Sequence, residues 1–444
     1  MAKTYRPYQP EQDFLLPPSL REWLPEGHLV YFVSDLIDEL DLSAIESYYE
    51  KEDRGYPPYH PRMMTKILVY GYCVGVFSSR RLQKRLQEDI GFRVLAAGNE
   101  PDFRTLSDFR KIHLRTLQGL FEQVLRMALE MGAMKLGRVA IDGSKVKANA
   151  SKHKAMSYKR MKEEQKRLGE EVRRLLAEAE RTDAEEDACY GRNSMGDELP
   201  AELQRREECL QRIREAKRAL EERARQEAEA QAAEPGQDGG DQEKEEKKEA
   251  KPEEKDQYNF TDAESRIRKG PDGFVQGYNT QIAVEPVMQL IVGQAVTQAG
   301  NDKKQLLPMI ATVQEQAGQK PTQVLADSGY TSEASLQGAE TAKVEAYLAV
   351  ARDQHNQRRP GPCPRGPLPQ GATRTDRMRR KLQTKTGQAI YAARKAIVEP
   401  VFGQIKQARG FRQFLLRGLE KVQGEWALVC MAHNVLKLHR MVCA

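Results

Sequence analysis

The sequence predicts a mixed α/β sheet with helices packed on it, preceded by an all-α region and interrupted by a charged helical hairpin. Three observations carry this prediction. Apolar residues recur at spacings of three and four through residues 1 to about 130. Strand-like alternation returns from residue 274, and helical and strand patterns then take turns. Between these regions, residues 156–257 are dominated by charge. With 444 residues, of which 39% are hydrophobic, the chain can bury more than one core. The boundaries read as 1–132, helical; 133–155, the first strand region; 156–257, the charged insertion; and 258–444, the rest of the sheet with basic C-terminal helices.

The first region contains "HLVYFVSDLIDELDL", "PRMMTKILVYGYCVGV" and "LRTLQGLFEQVLRMALEMG", amphipathic helices separated by Pro and Gly. Within it, "SSRRLQKRLQEDIGFRVLAAGNEPDFRTLSDFRKIH" sets Ser- and Thr-capped short helices around Arg80, Arg81, Lys84, Arg85, Arg104, Arg110 and Lys111. Two readings stand: a helix-turn-helix that enters a DNA groove, or a helical scaffold with solvated arginines. "RVAID" at 138–142 is a compact β run ending in Asp142. The insertion then presents two charged helices flanking "CYGRNSMGDELP"; Leu203, Leu210, Ile213 and Leu220 mark one apolar face, so the halves fold back as a short coiled coil. Its tail, "EPGQDGGDQEKEEKKEAKPEEKD", has too few apolar residues to order itself.

"FVQGYNTQIAVEP" and "QLIVGQAVTQA" are strands joined by a turn at Pro286 and Val287. A helix in "KKQLLPMIATVQEQAG", the strand "TQVLAD", a helix in "SEASLQGAETA" and the strand "AYLAVA" follow. A Pro-, Gly- and Arg-rich arm then leads to helices in "GQAIYAARKAIVEPVFGQIKQARGF" and "KVQGEWALVCMAHNVLKLHRM". Trp426 belongs to the core, and the Cys430 and His433 pair, despite its ligand-like spacing, reads as core packing.

Charge is unevenly placed. Residues 352–444 hold 19 Lys and Arg against five acids, +14, so the remainder carries −8 within an overall +6. A basic C-terminal surface suits a polyanion. The six cysteines include no CxxC pair, which fits a reducing compartment and not a zinc ribbon. No run approaches the roughly 18–20 apolar residues of a membrane span. The chain reads as soluble and cytoplasmic, with no membrane partner.

Three carboxylates stand in related places. Asp142 and Asp327 both end strands, where the side chains of an α/β sheet face a ligand crevice. Convergent carboxylates raise each other's pKa, a cost that a divalent cation removes, and oxygen-only ligands suit Mg²⁺ or Mn²⁺. Glu399 precedes Pro400, which disfavours helical geometry at the glutamate and places it at a kink or restart. Tyr391, Arg394 and Lys406 on the same segment offer a hydroxyl and two cations to a phosphodiester. Asp302 competes for the site, and Ser144, Lys145 and Lys147 follow Asp142 as phosphate contacts or solvated residues.

These motifs resemble those of DDE-type bacterial insertion-sequence transposases, nearest to the insertion-sequence eleven-eighty-two family within the insertion-sequence-five group. "FRTLSDFRKIH" resembles the end of an InsH-like N-terminal domain, "AIDGSKVKANASK" the first-aspartate motif and "GYNTQIAVE" the second strand. "VLADSGYTS" resembles the second-aspartate motif, and "YAARKAIVEPVFGQIK" the glutamate block. The resemblance implies an RNase H-like core in which Asp142, Asp327 and Glu399 hold two Mg²⁺ ions for cleavage and strand transfer by in-line phosphoryl transfer. It implies that Tyr391, Arg394 and Lys406 grip DNA near the scissile phosphate, that Lys145 contributes there, and that Arg104, Arg110 and Lys111 bind the inverted repeats. The implied partners are double-stranded DNA, as inverted repeats and target, and at least a dimer on that DNA. The family signature leaves three residues between its arginine and glutamate; Lys395 meets that spacing, and Arg394 stands one position earlier. A nuclease without strand transfer and an inactive DNA-binding derivative are the alternatives.

Overall fold

A computed structural model describes residues 19–50, 57–190, 201–232, 251–270, 273–350, 366–369 and 371–443. The chain divides into two compact units, residues 1–146 with 279–444, and residues 147–278. Of the basic arm expected at 352–381, residues 352–365 and 370 lie outside the described residues, as does the insertion's tail up to residue 250. The arm's last part, from Arg374, is helical and not a loop, with Thr373 and Asp376 forming a capping box.

The first unit opens with helices α1 (Leu29–Glu39), α2 (Ser43–Tyr49), α3 (Pro61–Cys73), α4 (Ser79–Glu88), α5 (Ile90–Leu95), α6 (Phe103–Ile112) and α7 (Leu114–Glu130). Their starts follow the local chemistry. Asp89 caps α5 and Asp102 caps α6, each accepting two backbone N–H groups that have no intrahelical partner. α4 packs against both α5 and α6. The chain then enters β1 (Arg138–Lys147).

The second unit begins with β2 (Ala155–Ser157), α8 (Tyr158–Tyr190) and α9 (Ala201–Ala232), followed by β3 (Gln257–Asn259) and β4 (Arg266–Gly270). α8 and α9 pack on each other through a core of Met161, Leu168, Val172, Leu210, Ile213 and Leu220; the side chain of Leu203 lies outside the described residues. β2 pairs antiparallel with β3 at the base of this hairpin. Residues 251–256, whose composition predicts no order, are held in place: Asp256 takes the Glu253 N–H on its carboxylate and the Tyr158 N–H on its carbonyl. β4 pairs with the first half of β5 (Gly273–Val284).

The second half of β5 returns to the first unit, where it pairs antiparallel with β6 (Ile291–Thr297). The turn between them is built on Glu285, a buried carboxylate that accepts the N–H groups of Val287, Met288 and Leu290. Then come α10 (Leu306–Ala317), β7 (Gln323–Ala326), α11 (Glu333–Thr341) and β8 (Glu345–Leu348). The resulting sheet runs β6, β5, β1, β7, β8, with β1 parallel to β7 and β7 parallel to β8. After their first residues, β7 and β8 are buried throughout, as strands covered by helices are. β1 runs five residues beyond the predicted "RVAID", so Asp142 sits mid-strand instead of at its end; β5 lies beside β1, where the Thr280 hydroxyl donates to the Ser144 carbonyl.

The chain closes with α12 (Arg374–Gln383), α13 (Lys385–Gly403), a π-helical turn at Gln404–Ala408, and α14 (Leu419–Val442). α14 is the hub of the first unit, packing against α7, α3 and β6. Trp426, Cys430 and His433 are all buried on it, as the sequence predicts. The His433 ring bonds the Gln289 carbonyl, and the Trp426 indole donates to that of Gln281. Glu425 is also buried there, accepting the N–H groups of Leu415 and Leu416 and facing Arg110 from α6. Among the described residues no helix is long and apolar enough to cross a membrane.

Burial pushes the Glu425 carboxyl from 4.5 up to about 7, against the opposing pull of the two amides and Arg110. A raised acid contributes its stability below the unfolded value and loses it as pH rises through the folded one. Wild-type stability relative to Glu425→Gln is therefore expected to decline by a few kcal/mol between pH about 4.5 and about 7. Denaturant unfolding of both proteins across that range measures it; a flat difference would contradict the assignment.

Candidate active site

The site forms where β1 and β7 run side by side. Arg138 pairs with Gln323, Val139 with Val324 and Ala140 with Leu325; beyond these pairs Asp142 and Asp327 follow on their two strands, close enough for Asp327 to raise the Asp142 carboxyl. Two backbone bonds from Thr322 and Gln323 to the Gly137 carbonyl, and the Arg138 Nε bond to the Gln323 amide at 2.9 Å, start that register. Asp327 then caps a single 3₁₀ turn at Ser328–Tyr330, its Oδ1 accepting the Gly329 N–H at 2.8 Å.

Asp142 is held by several partners. Its Oδ1 accepts the Gly143 N–H at 2.8 Å, and its Oδ2 lies 3.3 Å from Arg394 Nη1. Burial pushes its carboxyl up to about 6; Arg394 pulls the other way, and Asp327 and Asp302 add to the rise. Three aspartates therefore share one field, although the sequence reading placed Asp302 only as a competitor. Asp302 Oδ1 accepts Asn279 Nδ2 at 2.7 Å and Gln281 Nε2 at 2.6 Å, both amides projecting from β5. Gln281 in turn accepts the Tyr330 hydroxyl. Tyr330 is fully buried, and burial followed by all three aspartates raises its hydroxyl far above the ordinary range. It is a buried strut.

Glu399 meets the group only indirectly. Its side chain is 57% exposed, and its carboxylate lies 3.9 Å from Arg394 Nη2. Arg394 thus stands between Asp142 and Glu399, with its side chain 8% exposed and its Nε buried without a hydrogen-bond partner. Burial alone would lower its pKa, but Asp142, Tyr391 and Asp327 together raise it. Lys395, which matches the family spacing, is exposed. Arg394 is therefore the cation that this helix turns toward the carboxylates.

The kink expected at Glu399 does not occur. α13 continues through Pro400 to Gly403, and the irregularity is the π-helical turn that follows. Proline lacks the N–H that would bond the carbonyl four residues back. That carbonyl, of Ala396, instead accepts Gln289 Nε2 at 3.0 Å, so the helix survives its proline. The π turn aims Lys406 at β1, where Nζ donates to Ser144 Oγ at 2.5 Å and to the Lys145 carbonyl at 2.8 Å. Burial lowers the Lys406 ammonium, with Asp142 opposing.

The predicted basic helices separate into two groups. Arg80, Arg81, Lys84, Arg85, Arg104 and Lys111 are exposed. Arg80 and Arg104 both lie against the Phe103 ring, at 4.7 and 5.7 Å from its centroid, joining α4 to α6 in a basic, aromatic patch. Arg110 departs from the expectation of a DNA contact. It is 5% exposed, and its guanidinium donates to the Phe77 carbonyl at 2.9 Å and the Tyr72 hydroxyl at 3.4 Å. An i+6 step from Arg104 rotates a residue by about 240°, away from the first one's face. Lys145 is exposed on β1, and Tyr391 is half-buried beside Arg394.

The donor chemistry suits a hard divalent cation: only oxygen ligands, with burial first and neighbouring aspartates second raising the Asp142 carboxyl. The ligand cage itself is not assembled. Among the described residues no three acidic, His or Cys side chains are grouped to hold a metal ion, and Arg394 neutralises part of the charge instead.

Residues 18–112 match the family described as Transposase domain (DUF772), and residues 240–435 match the one described as Transposase DDE domain. The second match takes in Asp327 and Glu399 and begins after Asp142. No curated protein and no solved structure matches the chain.

Gly143 is where this packing is tightest. A Cβ there would lie 2.5 Å from Gln281 Nε2, 3.0 Å from Asp302 Oδ1 and 3.2 Å from Asn279 Oδ1. Gly143→Ala is expected to cost about 1–3 kcal/mol of unfolding free energy by overpacking, read in denaturant titration. A neutral result would mean that the amide and carboxylate cluster is loosely held.

Proposed function

We propose, from a chain whose two matched domains support a DDE-type DNA transposase, that Asp142, Asp327 and Glu399 are its catalytic carboxylates. The observation that supports this reading is the parallel start of β1 on β7 together with the electrostatic effect of Asp327 on the buried Asp142 carboxyl. DDE transposase domains generally use divalent metals, and here Asp142 and Asp327, joined by Glu399 and with Asp302 alongside, would hold Mg²⁺ or Mn²⁺, two ions in the full reading. When bound, such ions activate an attacking hydroxyl and stabilise the leaving oxygen of an in-line displacement.

The protein's own residues do the rest. Arg394 neutralises Asp142 and lies near Glu399, and in the complex its guanidinium turns toward a phosphate oxygen. Lys406, braced on Ser144 and the Lys145 carbonyl, offers a point charge from the π turn that continues α13. Tyr391 and Lys145 flank the same backbone. Tyr330 and Gln281 keep Asp302 oriented without entering the reaction. The exposed face of α4 and α6, with Arg104 and Lys111, binds the inverted repeats, and synapsis of two ends calls for at least a dimer on DNA. The insertion-sequence eleven-eighty-two assignment, the RNase H-like core and strand transfer into target DNA belong to this reading. The mixed sheet with a central parallel pair supports the core.

Asp327→Ala and Asp142→Ala are each expected to abolish Mg²⁺-dependent cleavage of an element-end duplex while leaving its binding intact. Cleavage assays beside gel-shift titrations check this, and undiminished cleavage by either variant would sink the site. A protein that cleaves yet never joins a pre-cut end would be a nuclease instead. Arg80→Ala with Arg104→Ala is expected to weaken end binding and lower its salt slope by about one to two. Unchanged binding would return α4 and α6 to a scaffold role.

A further inference from the structure

The second unit carries a feature that cleavage chemistry does not use. Between α8 and α9 runs a groove of about 560 Å³ lined by Lys162, Lys166 and Arg173 from α8 and by Arg214 and Lys217 from α9. No carboxylate lines it. Its floor is apolar, formed by Val172 and Leu210, and is widened at Gly169, where an added Cβ would meet nothing within 4 Å.

The charge pattern is selective, because the hairpin is rich in both signs. On α8 the acids Glu164 and Glu171 lie on a different stripe and are engaged by Arg167 and Arg206. The groove stripe instead places Lys162 and Lys166 four residues apart and continues through Gly169 to Arg173. Like charges at that spacing weaken a helix, whereas alternating signs would strengthen it. Glycine in mid-helix carries a further cost. At one end an acid approaches: Glu221 lies 3.9 Å from Lys217 and accepts the Tyr158 hydroxyl, while Lys162 sits 4.3 Å over the Tyr158 ring. The remaining cations are exposed along α8 from residue 162 to 173, a length of about 16 Å at 1.5 Å per residue. That spans roughly five nucleotide steps of a DNA strand.

We propose that this groove binds the phosphodiester backbone of DNA, giving the protein a DNA contact on the hairpin in addition to the basic helices and the carboxylate site. The inference rests on the transposase reading for its ligand and on the groove alone for its place. The contact is to backbone and carries no base specificity, so a mixed-sequence duplex suffices as the probe.

The test uses the full chain and fluorescence anisotropy across a salt series. Lys166→Ala with Arg214→Ala is expected to lower the slope of log affinity against log salt by about two. The charge-matched pair Arg174→Ala with Arg212→Ala, on the same helices outside the groove, is expected to lower it by less than half as much. Gly169→Leu favours helix and fills the floor without altering charge, and is expected to weaken binding several-fold with the melting temperature unchanged or raised. Equal slopes for wild type and the groove pair, or an equal loss in the control pair, would overturn the groove. Full binding by Gly169→Leu would do the same. A wild-type chain that binds no duplex at all would overturn the transposase reading itself, a distinct result.

Discussion

The parallel register of β1 on β7 is the constraint on which the site depends. Side chains alternate along a strand, so a slip of one residue would turn either aspartate to the opposite face of the sheet. The register is held at its start by Gly137, Arg138 and Gln323. It is held along its length by Val139, Ala140, Val324 and Leu325, all fully buried. Asp142 and Asp327 inherit their proximity from these neighbours and contribute repulsion themselves. Stability here is supplied by apolar residues so that destabilising carboxylates can be held together, a division common to sites that bind charged ligands.

Around that pair, neutral amides and cations limit the repulsion. Asn279 and Gln281 satisfy Asp302, Gln281 passes the chain of bonds to Tyr330, and Arg394 lies against Asp142. Arg394 is a counter-charge in the absence of other ligands, and its buried, unbonded Nε shows that its present partners do not fully satisfy it. A phosphate or a cation at the carboxylates would compete with these contacts.

α14 supplies the mechanical link. It is buried along most of its length, touches α3, α7 and β6, and anchors Glu425 opposite Arg110. Asn434 on the same helix bonds both the N–H and the carbonyl of Ile291, so β6 is clipped to it. Through this helix the N-terminal helices share a compact unit with the sheet instead of hanging from it. Arg110 explains the exchange: a cation that looked like a surface contact serves as the buried partner of an acid 315 positions later.

Local pattern determined much of this protein. Periodicity specified most of the helices and strands, though not β3, β4 or α12, the charge run specified the hairpin, and Asp142, Asp327 and Glu399 could be singled out together because they recur at strand ends and before a proline beside a basic segment. Tertiary structure alone decided which groups meet. Asp302 joined the aspartates because β5 placed two amides beneath it, and Arg394 faced them although Lys395 had the expected spacing. Arg110 went inside, and Pro400 left α13 unbroken because Gln289, on another element, took the stranded carbonyl. The physical reason is common to all four. Each outcome is set by a partner distant in sequence, and neither spacing nor propensity encodes the identity of that partner.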